Sequence, residues 1–146
     1  MAITFKDAST ADAEALVVIR IRAMRESLES IGRFNPQRAR DRFLSSYDPQ
    51  STSIILKDCQ TIGFFVVKSI DNGLLLDHLY IEPEHQSQGI GAMVLSHVFA
   101  EADTRKLPLK VGALRGSQSN NFYLRHGFVK TAEEEWDIYY IRQPKE

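Results

Sequence analysis

The 146 residues are 43% hydrophobic and 25% charged, with eight Gly and five Pro. That suits one globular domain over residues 1–146 and excludes disordered, collagen-like and coiled-coil chains. Eighteen Lys and Arg against nineteen Asp and Glu leave a formal charge of −1, which argues against recruiting nucleic acid through its phosphates. Cys59 has no second cysteine to pair with and no Cys/His cluster has zinc-ligand spacing, so a reduced, metal-free, cytoplasmic domain is expected. Met1–Asp7 lacks the pattern of a signal peptide, and no uncharged apolar run reaches the length of a membrane span.

In chain order, Ile3–Asp7 reads as an opening strand. Ser9 or Thr10 offers an N-cap, with Asp12 and Glu14 in the first helical turn where the dipole favours them. Ala13, Val17, Met24, Leu28 and Ile31 then recur at helical spacing. Gly32 is a stop, and Pro36 opens a short helix through Phe43 and Leu44. Asp48-Pro49-Gln50 is a turn before strands Ser53–Leu56 and Ile62–Ser69, which are joined by Lys57–Thr61. Asp71-Asn72-Gly73 is a strong turn, because Asn and Gly tolerate positive φ. Leu74–Ile81 is apolar enough for a central strand buried on both faces, ended by Glu82-Pro83. A helix over Ala92–Thr104 presents Leu95, Val98, Phe99 and Ala102 on one face. Leu109–Leu114 follows Pro108 as a strand, Ser119–Arg125 is a helix with Gly127 as its left-handed cap, and strands near Phe128–Thr131 and Trp136–Arg142 close the chain. Trp136, Ile138 and Tyr140 alternate as a core face should. The fold class is therefore α/β (α+β): a mixed sheet of about seven strands flanked by helices.

The most informative stretch is Glu82–Ala92, which joins a buried strand to an amphipathic helix through Gly89-Ile90-Gly91. Backbone N–H groups at a helix start lack intrahelical partners, and glycines let a phosphate approach them. Two glycines also serve a plain tight entry to a helix, and spacing by itself does not choose. A Walker loop is excluded, since no Gly-Lys pair occurs, and a Rossmann fingerprint would need glycine where Val94 stands.

Gln86-Ser87-Gln88-Gly89-Ile90-Gly91 matches Q/R-x-x-G-x-G/A, and the chain thereby resembles the GNAT superfamily of acetyl-CoA-dependent N-acetyltransferases. Leu79-Tyr80-Ile81-Glu82-Pro83-Glu84 resembles that family's strand ending, and Phe122-Tyr123-Leu124-Arg125-His126-Gly127-Phe128 its later F-Y-x-x-x-G-F motif. The resemblance implies a mostly antiparallel sheet with a V-shaped splay between strands near 74–81 and 109–114. It implies acetyl-CoA as co-substrate, with pantetheine against Leu79, Tyr80 and Ile81. The pyrophosphate would lie on Gln86, Ser87, Gln88, Gly89, Ile90, Gly91 and Ala92. It also implies an amine acceptor, a small molecule or peptide, with no nucleic acid or membrane partner, and makes a homodimer conceivable. Where the family often has Asn, seven residues before the motif tyrosine, this chain has Gly116; Asn120 or Asn121 is the candidate replacement.

Acetyl transfer needs a neutral amine and a proton for the departing thiolate. Deprotonating an alkyl ammonium at neutral pH costs roughly 4–5 kcal/mol. Tyr123 stands where the family places its general acid, and the same residue also reads as a packed aromatic. Asp77 and His78 are candidate bases, against a loop-capping Asp and a satisfied core histidine, while a water relay needs neither. Glu82 lies nearer the loop and reads as exposed, as do His85, His97 and His126. Arg20, at the edge of the first helix's stripe, is suited to a substrate carboxylate or to snorkelling into solvent. Seven Arg between Ile19 and Arg42 read as a solvated face. A non-catalytic acyl-CoA sensor of the same fold is the alternative function.

Overall fold

The computed structural model describes residues 2–146. Strands β1 (Ile3–Asp7), β2 (Thr52–Lys57), β3 (Gln60–Ile70), β4 (Gly73–Ile81), β5 (Leu109–Leu114), β6 (Val129–Glu133) and β7 (Asp137–Arg142) form a seven-stranded mixed sheet. Its hydrogen-bonded order is β1-β2-β3-β4-β5-β7-β6. Among the described residues four α-helices accompany it: α1 (Ala13–Ser30), α2 (Pro36–Ser46), α3 (Ile90–Arg105) and α4 (Ser119–Arg125). The chain divides into two compact units, residues 2–66 with 78–91 and residues 67–77 with 92–146.

In the first unit, β1 pairs antiparallel with β2 from Ile3↔Lys57 to Asp7↔Ser53, and β2 pairs antiparallel with β3. The β2–β3 turn is tighter than the sequence suggests, because Asp58 (φ 50°) and Cys59 (φ 71°) both adopt left-handed backbone, the geometry of a two-residue hairpin. The strands accordingly extend past the expected Ser53–Leu56 and Ile62–Ser69. Ahead of α1, the Asp12 carboxylate accepts from the Ser9 N–H (2.7 Å) and hydroxyl (3.0 Å), which fixes the helix entry. Pro36 opens α2, and the Asn35 side chain caps it by accepting from Arg38 N–H at 3.0 Å.

The apolar stripe of α1 is a correction. Val17 is buried, but Ala13, Met24, Leu28 and Ile31 are only half-buried, and the fully covered positions include Leu16 and Ile19. These pack with Phe43, Ile54, Phe64 and Val66, so the core is centred on the N-terminal half of the helix. A stripe read at one helical angle misses the width of a face that meets both a sheet and a second helix.

In the second unit, β4 and β5 are parallel, paired from Leu74↔Leu109 to Leu76↔Val111, while β5 stays antiparallel to β7 as far as Leu114↔Asp137. Burial on β4 is one-sided and fades along the strand: Leu74 and Leu76 are covered on one face, while Leu75 and every residue from Asp77 to Ile81 are half-buried, which corrects the expectation of a strand buried on both faces. Helix α3 starts at Ile90, two residues before expected, and adds Ile90 and Val94 to the buried Leu95, Val98 and Ala102, while Phe99 is half-buried. Strand β6 begins after Phe128, which is buried, and runs on to Glu133.

The C-terminal strand departs most from its sequence pattern. Trp136 precedes β7 and is 37% exposed, whereas the buried side chains of β7 are Tyr140 and Arg142. Arg142 makes a two-pronged ion pair with Asp103 of α3 (2.9 and 3.1 Å) and stacks 3.9 Å over the Phe99 ring. Paired and stacked in this way, a guanidinium is tolerated where a lone charge is not.

Candidate functional site

The loop of residues 82–91 sits between the end of β4 and the start of α3. Ser87 (φ 63°) and Gly89 (φ 82°) are both left-handed. Positive φ is routine for glycine and uncommon for serine, so the loop is held in a specific shape. The hold is visible at Gln86, whose side-chain amide donates to the Ile81 carbonyl at 2.9 Å and ties the loop back to the strand it leaves. Glu82 N–H donates to the Ile62 carbonyl at 2.8 Å, fastening the strand end to β3. At Gly63 a Cβ would lie under 3.0 Å from the Tyr80 carbonyl oxygen and 3.1 Å from the Ile81 Cα, so a side chain there forces the backbone of β3 or of the β4 end to shift. The loop therefore presents the N-terminus of the sixteen-residue α3, with its unpaired N–H groups and positive dipole end, from a braced support. An anionic phosphate suits that arrangement, and the residues present fit it.

Glu82 and His85 are more enclosed than their sequence suggests: their side chains are 12% and 17% exposed. Glu82 Oε2 pairs with Arg22 of α1 at 2.8 Å, while Glu82 Oε1 and His85 Nδ1 are buried without a hydrogen-bond partner. His126 is half-buried and His97 exposed.

The two candidate bases are separated by strand alternation, which points adjacent side chains to opposite faces. Asp77 pairs with Lys68 at 3.2 Å in the second unit. His78 lies in the first unit, its Nδ1 2.9 Å from the Tyr80 hydroxyl and its ring edge-on to Phe43. Arg20 neither snorkels nor stands open to a carboxylate. It donates to the Ala39 carbonyl at 2.5 Å and, at 3.4 Å, to the same Tyr80 hydroxyl. A guanidinium only donates, so the Tyr80 oxygen accepts from Arg20 while lying within hydrogen-bond reach of His78 Nδ1. This Arg20–Tyr80–His78 chain was not legible in the sequence, since its members are separated by up to 60 residues.

In the second unit, Tyr123 of α4 is buried (6% exposed), with its ring against Phe122, Phe128 and Tyr140. Its carbonyl accepts from His126 N–H and Phe128 N–H, at 3.1 Å each, closing the helix around left-handed Gly127. Asn120 is spent locally: its amide donates to the Leu114 and Ser117 carbonyls, and its oxygen accepts from the Tyr140 hydroxyl at 2.7 Å. Asn121 is exposed. Gly116 is left-handed (φ 82°), with nothing within 4 Å of where its Cβ would stand. Among the described residues, no three His, Cys, Asp or Glu group as metal ligands, and no helix is long and apolar enough to cross a membrane.

These features converge on one class. The family model of the acetyltransferase (GNAT) domain matches residues 49–130, more than half the chain, and the protein belongs to that family. A comparison with curated proteins finds no match. Solved structures share the fold over nearly the whole length. PaiA N-acetyltransferase from Thermoplasma acidophilum, crystallised with coenzyme A, superposes with a TM-score of 0.77 at 18% identity, covering 98% of this chain and 99% of that one. The ribosomal-protein-S18-alanine N-acetyltransferase of Escherichia coli gives 0.76 at 16% identity (99% and 96%). The apo form of YjaB, also from Escherichia coli, gives 0.79 at 18% (99% and 100%). The chain is thus similar in fold to an acetyltransferase solved with coenzyme A, and acetyl-CoA-dependent acyl transfer is its family activity.

Proposed function

We propose that this protein transfers the acetyl group of acetyl-CoA to a primary amine of a small molecule or peptide, by direct attack in a ternary complex. The observation that carries the reading is the braced loop of residues 86–91, with left-handed Ser87 and Gly89 leading into α3, in a chain whose family acts on acetyl-CoA. Backbone groups of Leu79 and Ile81 would meet pantetheine, and the loop N–H groups the pyrophosphate. The amine nitrogen forms a bond to the thioester carbonyl carbon, the carbon–sulfur bond breaks, and CoA leaves as a thiolate. Tyr123 is the group we assign to protonate that thiolate, on its place in the F-Y-x-x-x-G-F motif. For the proton lost by the amine, Asp77 and His78 stay the candidates, the first engaged by Lys68 and the second by the Tyr80 hydroxyl, and a water relay needs neither. Cys59 is exposed in the β2–β3 turn, which leaves direct attack preferred over an acetyl-cysteine intermediate. We place the protein in the cytoplasm, where such an exposed thiol stays reduced.

The test is release of free CoA thiol from acetyl-CoA across polyamines, amino acids, aminoglycosides and peptides. Turnover with at least one amine, with the acetylated product identified by mass, is expected. Tight acetyl-CoA binding with no turnover on any amine would instead make the protein an acyl-CoA sensor.

A further inference from the structure

We infer that Lys57, on the far end of β2, is the cation that binds the pyrophosphate of the acyl donor. The inference rests on the acetyl-CoA reading above. It starts from an electrostatic deficit in the sequence. No Lys or Arg occurs between Lys68 and Arg105, while Asp71, Asp77, Glu82, Glu84, Glu101 and Asp103 all fall there. The loop itself, Gln86-Ser87-Gln88-Gly89-Ile90-Gly91, is uncharged, and two carboxylates immediately precede it. Backbone N–H groups and a helix dipole carry only partial charges, confined to the first turn. A pyrophosphate placed there without a full positive charge nearby would face Glu82 and Glu84 with little to offset them.

The fold brings cations in from elsewhere in the first unit. Arg22 of α1 reaches Glu82 at 2.8 Å and neutralises it. Lys57 reaches the loop, its Nζ donating to Gln88 Oε1 at 3.1 Å across 31 residues of sequence. Gln88 uses one of three ammonium N–H groups, so two remain for phosphate oxygens. The position is also rigid at its base. Lys57 is the last residue of β2, paired with Ile3 on one side and Gln60 on the other. That pairing fixes the backbone from which the lysine side chain reaches the loop. Lys57 is thereby a specificity-determining residue for donors that carry a pyrophosphate, as opposed to shorter pantetheine thioesters.

The experiment compares the wild-type protein with Lys57→Met and Lys57→Arg. Three ligands are used: CoA, dephospho-CoA (no 3′-phosphate) and pantetheine (no phosphate). Calorimetry serves the first two ligands and NMR titration the weaker third. Lys57→Met keeps the aliphatic stem and removes the charge, and a thermal melt establishes that it is folded. Loss of an exposed charge-assisted contact should weaken CoA and dephospho-CoA alike by about three- to tenfold, and less so at high salt. Pantetheine binding should not change, and Lys57→Arg should recover most of the affinity. Unchanged CoA affinity in folded Lys57→Met overturns the inference. So does an equal loss for pantetheine, or a loss for CoA that dephospho-CoA does not share. If the wild-type protein binds no CoA at all, the acetyl-CoA reading fails instead.

Discussion

Gly63 offers the sharpest test of how the β3 strand supports the loop. Gly63→Ala would set its new methyl under 3.0 Å from the Tyr80 carbonyl oxygen, 3.1 Å from the Ile81 Cα and 3.3 Å from the Ile55 Cδ1. Two of these atoms are backbone and cannot swing aside, so β3 or the end of β4 must move. Overpacking of this kind costs about 1–3 kcal/mol, and the backbone contacts put Gly63 in the upper part of that range. Replacing a strand glycine by alanine returns roughly 0.5–1 kcal/mol of conformational entropy. A net loss of about 1–2.5 kcal/mol should lower the melting temperature by about 3–10 °C for a chain of this length. The displaced atoms belong to Tyr80 and Ile81, so CoA affinity should fall as well. Gly112→Ala is the control, because its methyl would meet only the Tyr139 ring, at 3.3 Å, and a side chain can yield. Thermal melts and calorimetry with CoA measure both effects. A Gly63→Ala protein that melts with the wild type, or melts above Gly112→Ala, would refute the argument.

Tyr123→Phe removes a hydroxyl and little packing area. If Tyr123 protonates the thiolate, the single-turnover rate should drop by ~10²–10⁴-fold with acetyl-CoA affinity nearly unchanged, and an unchanged rate would assign the proton to water. The Tyr139 hydroxyl donates to Glu134 at 2.6 Å, and that bond, then burial and the charges of Glu134 and Asp137, push its phenol up to about 12. The raised value means its contribution to stability is complete below the ordinary phenol range near ~10 and is lost as pH rises toward the folded value. Ultraviolet titration of wild type and Glu134→Gln should show one tyrosine moving back toward ordinary behaviour. Asp103 is shifted the other way, chiefly by hydrogen bonding from Arg142 and then from the Lys145 backbone N–H, which hold its carboxyl below the usual range. Its stabilisation is present above the unfolded value of ~3.9 and disappears as pH falls through the lower folded one. Asp103→Asn should therefore be less stable than wild type at neutral pH, in urea melts, with the gap closing in acid.

The sequence by itself determined those features whose causes are local. The limits of β1, β5 and α4 follow from turn and cap residues beside them, such as Pro108 and left-handed Gly127. The loop from Gln86 to Gly91 was legible only as part of a combination: two glycines also suit a plain helix entry, but the Q-x-x-G-x-G pattern together with the tyrosine motif was enough to indicate the family. The tertiary structure decided which polar side chains are enclosed and what they hold. Arg142 occupies a place the alternation pattern gives to an apolar residue, because Asp103 and Phe99, roughly 40 residues away in sequence, compensate its charge. Glu82 is covered because Arg22 reaches it, and Arg20 is drawn to Ala39 and Tyr80 rather than to solvent. Trp136 stays exposed although its spacing suits a core, since β7 begins one residue after it. The loop's left-handed turns are local, but the Lys57 ammonium that contacts Gln88 arrives from β2. Periodicity records which faces prefer water; the partner of a charge depends on where distant segments meet, and pairing of β1, β2 and β3 fixes that meeting here.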